Sequence, residues 1–314
     1  MIAALWSWAP WGAATAGASF TPLAYATLFA LGLCFGSFLN VVAHRVPLGL
    51  SVVRPRSRCP SCRTPVRAVD NVPILSWIAL GGRCRGCRGA ISIRYAAVEA
   101  LTGISAAYAV HVLVFSGGGL PTQAAPWAHA IAVFAVTATL LAAALIDIDH
   151  RILPDSITIP GMWLGPVLAA AVPEMVLWPP SLVRMTADLM PAGCPERVDA
   201  ALMSVAGIAF GAGLIWSLGA VGSRVFGKEA MGFGDVKYLG MIGGVVGPAG
   251  ALVALVAAAF VGSLAGFVRL VLTRDRYIPF GPFLAIGAYF AMVHGRGFVG
   301  WYLAHFAGLG ASGH

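Results

Sequence analysis

The chain has 314 residues, 59% of them hydrophobic and only 10% charged, with a mean hydropathy of +0.85. A soluble domain carries roughly 25% charged residues, so this composition excludes a water-soluble globular protein and predicts an all-α polytopic membrane protein. The net charge of +8 is gathered in one stretch beside apolar runs, which points to topology and away from nucleic acid.

The first 22 residues contain no Lys or Arg, so a cleaved signal peptide is not expected. Trp6, Trp8 and Trp11 read as interfacial anchors on the outer side. The apolar runs then predict eight spans, at about 23–42, 95–115, 129–146, 157–177, 200–221, 238–246, 249–272 and 283–302. The sixth is short and Gly-rich, and can merge with the seventh. Between the first two spans lie ten of the 20 Lys and Arg, from Arg45 to Arg94, opposed only by Asp70. The later polar turns carry His150-Arg151, then Arg224, Lys228, Asp235 and Lys237, then Arg269 to Arg276. Alternate counting puts all four basic stretches on one side and both termini on the other. The positive-inside rule makes the basic side cytoplasmic. Anionic lipid headgroups are a natural contact for the basic loop, whereas it lacks the aromatic platform of a nucleic-acid binder. The chain divides into a first segment and span at 1–43, a cytoplasmic four-Cys loop domain at 44–94, and a membrane domain at 95–314. No 20–50-residue repeat is expected. Gly207-x3-Gly211 and Gly262-x3-Gly266 suit close helix packing.

Acidic residues at membrane depth are few and clustered. Asp147 and Asp149 close the third span, and Asp155 follows Leu153-Pro154; Asp235 stands in Gly232-Phe233-Gly234-Asp235, before the sixth. An acid at a span is a functional candidate because burying it unpaired is expensive. The plain alternative pairs Asp147 and Asp149 with Arg151, and Asp235 with Lys237. The Gly-x-Gly turn lets an extended substrate backbone lie beside the Asp235 carboxylate. Two carboxylates in one site hold a single proton, so one can take a proton from water while the other gives one to a carbonyl. A transporter using the same acids as a cation or proton site is the competing reading.

Cys59-x2-Cys62-x21-Cys84-x2-Cys87 lies in the basic loop. Two Cys-x2-Cys pairs match a closed, structural zinc site, with redox-active pairs as the alternative. Cys34 reads as a small packing residue and Cys194 as an outer-loop thiol. His111, His129, His294 and His305 fall near span ends, where an interfacial ring is expected. Glu99, early in the second span, faces either lipid or the bundle interior.

Taken in order, several segments resemble the bacterial prepilin peptidases, the type IV leader peptidases of the Gly-x-Gly-Asp membrane aspartyl protease class. They are Gly36-Ser37-Phe38-Leu39-Asn40, Cys59-Pro60-Ser61-Cys62, Asn71-Val72-Pro73-Ile74-Leu75-Ser76-Trp77, Ile91-Ser92-Ile93-Arg94-Tyr95, Asp147 through Pro160, Gly232 through Lys237, and Pro279-Phe280-Gly281-Pro282-Phe283. The resemblance implies catalytic aspartates at Asp147, seven residues before Pro154, and at Asp235. It implies cleavage of leader peptides from type IV prepilins or type II secretion pseudopilins, at the cytoplasmic face of the bacterial inner membrane. It also implies N-methylation of the new N-terminus from S-adenosylmethionine. The segment 179–199 is longer than is usual in that family.

Overall fold

The computed structural model describes residues 22–115, 124–177, 196–227, 231–273 and 279–306. Trp6, Trp8, Trp11, Lys228, Cys194 and Arg274-Asp275-Arg276 lie outside the described residues. Among the described residues eight α-helices follow in order: α1 (Pro22–Arg45), α2 (Leu75–Ala79), α3 (Ile93–Val110), α4 (Ala125–His150), α5 (Asp155–Ala171), α6 (Glu196–Phe226), α7 (Phe233–Thr273) and α8 (Gly281–Phe306). Among the described residues there is no strand, only two isolated bridges in the Cys loop. α1, α3, α4, α6, α7 and α8 are long and apolar enough to cross a membrane. α5 has 17 residues, a rise of about 25 Å, near the shortest length that spans a bilayer.

The 41 residues of α7 would rise about 60 Å if straight, twice the hydrocarbon thickness. Instead two helical arms meet at Gly247, whose φ of 73° and ψ of 178° are outside helical space. Neighbours show that the arms run in opposite directions. The first arm starts at Asp235, whose charge acts on Asp147 at the end of α4. At the break, Gly250 lies against Leu177, as does Gly295 late in α8. Returning, Ala254 meets Gly287, Gly262 meets Phe283, and Gly281 at the start of α8 meets Asp147. Both arms therefore begin or end on the Asp147 face, where the apolar runs predict a sixth and a seventh span. The break would orphan the Val246 carbonyl, but the Leu177 N–H donates to it at 2.9 Å.

Small residues bring the helices together without a hydrophobic drive from water. Gly32 and Gly36 of α1 sit on Gly103 and Glu99 of α3, and Gly207 and Gly211 of α6 on Gly243 and Leu239 of α7. Ser204 Oγ bonds the Gly244 carbonyl across the same contact. The densest core joins α4, α7 and α8 through Val133, Leu140, Tyr238, Ile242, Ala254 and Leu284. Two expectations are corrected here. Cys34 is exposed on the outer side of α1 because the inner side of that helix is taken by its glycines. His129 is no interfacial ring: it is only 9% exposed, with Nε2 lacking a partner, because Ala125–His150 starts a full turn earlier than the predicted span and draws it inside.

A side chain at position 247 would be strained by the positive φ and would press on Val176 Cγ1 at 2.9 Å. Gly247→Ala is expected to cost about 1–3 kcal/mol, read as a lowered midpoint in detergent unfolding. An unchanged midpoint would mean that the break is not held in this conformation.

Candidate active site

Three turns on one face build the site. α4 ends with Arg151 in the left-handed region at φ 57°, its N–H returning to the Asp147 carbonyl at 2.9 Å. Pro154 then caps α5, and Asp155 places its charge at that helix's positive end. The second turn, Met231 to Asp235, starts α7; Asp235 N–H donates to the Gly232 carbonyl at 3.1 Å. A Cβ on Gly234 would come 3.2 Å from Leu153 Cβ, so the α7 start fits tightly beneath the turn after α4. The third turn starts α8, and its Gly281 N–H donates to Asp147 Oδ2 at 3.0 Å.

The neighbouring charges sort the acids. Asp149 is paired with Arg94 of α3, which also reaches the Leu145 carbonyl at 3.3 Å. Asp155 is paired with Lys237 at 2.6 Å, and Lys237 lies 5.1 Å above the Phe233 ring. The alternative pairings of Asp149 with Arg151 and of Asp235 with Lys237 are therefore corrected. Lys237 sits in the first turn of α7, two residues past Asp235, and projects to a different side of the helix. Asp147 is 7% exposed, Asp235 is half-buried, and Tyr238, three residues past Asp235, is fully buried. Tyr238 Oη donates to the Leu140 carbonyl at 2.7 Å, tying α7 to α4 just beneath the pair. Two neighbouring carboxylates that share a proton can exchange it with water and with a carbonyl.

Glu99 resolves to the bundle interior. It is buried beneath α1, and its Oε2 accepts the Ile74 N–H at 2.7 Å. It thus pins the turn before α2, where Ile74 has a positive φ of 59°. Of the histidines, His111 meets Tyr25 Oη at 2.8 Å and His294 meets Tyr108 Oη at 2.9 Å, both far from the aspartates. His305 stays exposed near the end of α8.

The four cysteines do converge: Cys59, Cys62, Cys84 and Cys87 place their sulphurs within 4.8 Å of one another, a group that can hold a metal ion. They stand on two matching turns. Cys59 N–H donates to the Thr64 carbonyl and Cys84 N–H to the Gly89 carbonyl. Arg63 and Arg88 both take positive φ, and each turn closes with one bridge. The repeated Arg-Cys-x2-Cys-Arg, 25 residues apart, is the short repeat that the sequence reading passed over. The Thr64 side chain and backbone lower the Cys62 thiol to about 6, and the Cys87 and Gly86 N–H groups lower that of Cys84, favouring those two thiolates, while the crowded neighbouring sulphurs push Cys87 up to about 11. Arg85 grips Asp70 at 2.6 Å, holding that carboxyl below its ordinary value and fastening the second turn to the segment before α2.

A membrane-embedded carboxylate pair above a cysteine-rich loop defines a class, and comparison with known proteins defines the family. Residues 30–113 match the bacterial peptidase A24 N-terminal domain, and residues 134–267 match the type IV leader peptidase family. The chain is 32% identical over 311 residues to the prepilin leader peptidase/N-methyltransferase of Aeromonas salmonicida (strain A449), covering 90% of this chain and 94% of the relative. It is 34% identical over 305 residues to the protein of that name in Pseudomonas aeruginosa, covering 89% and 93%. With that of Myxococcus xanthus (strain DK1622) it shares 38% over 255 residues, covering 81% and 65%. The chain belongs to the type IV leader peptidase family. No solved structure matches it. Nothing in these relatives supports the transporter reading.

Proposed function

We propose that this chain is a membrane aspartyl endopeptidase that removes the leader peptides of type IV prepilins or type II secretion pseudopilins. The observation that carries the reading is that Asp149 and Asp155 are each paired with a cation while Asp147, at the end of α4, accepts a backbone N–H from the start of α8 and Asp235 opens α7, in a chain whose relatives are named prepilin leader peptidase/N-methyltransferase. The pair holds one proton. The ionised carboxylate takes a proton from water as the water oxygen adds to the scissile carbonyl carbon, and the protonated carboxyl gives its proton to the carbonyl oxygen. On collapse the C–N bond breaks, the carbonyl re-forms, and a proton passes to the departing amine. The charge bias of the four basic loops supports a cytoplasmic site with both termini outside. A substrate helix then lies in the bilayer with its leader junction at the aspartates.

The relatives' names also support N-methylation of the released amine, with S-adenosylmethionine as the donor; the Cys loop between α1 and α3 is its proposed place. We assign zinc to the four cysteines. A tetrahedral site with Zn–S of about 2.3 Å has sulphur–sulphur edges of about 3.8 Å. Cys59–Cys87 and Cys62–Cys84 are separated by 3.8 and 3.9 Å, too far for disulfides of about 2.05 Å. Four thiolates leave no open position, so the metal would shape the loop and supply no hydrolytic water. The membrane domain from 95 onward would carry proteolysis, and residues 44–94 the metal loop.

In detergent, Asp147→Asn and Asp235→Asn are each expected to lower leader cleavage at least about 1000-fold, followed by mass spectrometry of the released leader. Asp149→Asn, whose partner is Arg94, is expected to keep cleavage within about tenfold, since a partly exposed pair contributes up to roughly 1 kcal/mol. Full activity in either of the first two variants would sink the assignment. Metal analysis of the purified chain should give about one zinc per molecule, and Cys59→Ser with Cys84→Ser should remove it. A chain purified without metal that stays folded in the loop would contradict the zinc site.

A further inference from the structure

The turn that opens α8 offers its backbone in an unusual way. A helix start leaves its first N–H groups without intrahelical partners. In α8 those donors can be followed one by one. The Phe283 and Leu284 N–H groups both donate to the Phe280 carbonyl at 3.1 Å. Pro282 has no N–H at all. The Gly281 N–H is then the one first-turn donor left over, and it goes to Asp147 Oδ2 at 3.0 Å. The turn itself is anchored, because Phe283 packs on Gly262 in the returning arm of α7.

The approach is also as close as a backbone can make it. A Cβ added to Gly281 would stand 2.6 Å from Asp147 Oδ2, 3.2 Å from its Cγ and 3.3 Å from its Cβ. Every heavy atom of that carboxylate's stem is thus met by the bare face of one glycine. Asp147 is over nine-tenths buried, and this amide and the positive end of the α8 dipole act to orient it.

The geometry points to Gly281 as a positioning residue for the peptidase: its N–H fixes Asp147 by Oδ2, and its missing side chain lets the carboxylate stand toward Asp235. Oδ2 is thus held through one lone pair. Oδ1 of Asp147 is left to meet water or the Asp235 carboxyl. Pro282 supports this indirectly, since any other residue there would add a second free N–H. The inference rests on the peptidase reading of Asp147 and Asp235 and deepens it.

The test uses the full chain in detergent with a prepilin substrate, and reads kinetics and thermal stability separately. Gly281→Ala should lower kcat at least about 100-fold, the size of effect that a displacement of about 1 Å brings, with KM held within about twofold. A merely structural glycine would not give that split. Thermal midpoints of Gly281→Ala, Asp147→Ala and the double variant form a cycle. The midpoint lost in Gly281→Ala should be largely recovered when Asp147 is also truncated, because the collision is with that side chain. An unchanged kcat, or the same midpoint loss with and without the Asp147 carboxylate, would overturn the inference. If Asp147→Asn still cleaved substrate, the peptidase reading would fail by itself; thermal coupling in that case would still support the contact between Gly281 and Asp147.

Discussion

Holding two carboxylates, Asp147 and Asp235, at the meeting point of three helix ends is the constraint around which this molecule is arranged. Each unpaired carboxylate would be expensive to bury alone. The surroundings meet that cost without cancelling the chemistry. Arg94 and Lys237, the nearby basic groups, are occupied by Asp149 and Asp155. Backbone N–H groups at helix starts supply what the pair needs, with Gly281 donating to Asp147 and Asp235 standing in the first turn of α7. Helix termini offer direction without a neutralising charge, so the carboxylates stay available to exchange a proton.

The remaining architecture serves to bring three helix ends to that spot. α4 must finish there, while α7 and α8 must both start there. A chain that leaves by α7 and returns for α8 must reverse within the bilayer, and it does so at Gly247-Pro248. The open carbonyl at the reversal is closed by Leu177 from the end of α5. Gly207 and Gly243 let α6 and the first arm of α7 touch at backbone distance. The packing also explains why Tyr238 is fully buried: its hydroxyl needs an acceptor at that depth and finds the Leu140 carbonyl. The Cys loop is fastened to the same end by Glu99 on Ile74 and by Arg94 on Asp149.

Much of this is legible in the sequence, for identifiable reasons. Apolar length and basic loops are one-dimensional signals, so the spans and the shared face of the aspartates can be read directly. The sixth span stands out in the sequence as short and Gly-rich, and the structure shows the arm it forms ending at Gly247. What escaped reading is the pairing of charges. Lys237 is adjacent to Asp235 in the chain, yet it bonds Asp155, 82 residues away. Arg94 reaches Asp149 across 55 residues. Such choices depend on helix rotation, which spacing alone leaves open. Glu99 showed the same ambiguity, and only the burial of its face by Gly36 decided it. The donor role of Gly281 is hidden for another reason: it belongs to a backbone N–H, which every residue except proline has. The clue was the proline beside it.

The central claim is that Asp147 and Asp235 act as one unit. It is tested most directly by the single-turnover cleavage rate of the Asp147→Asn/Asp235→Asn double variant, set against both single variants. Groups that share one proton are strongly non-additive, so the double variant should be no slower than the slower single one. Losses that multiply across the two positions would contradict the account, because they would make the aspartates independent contributors.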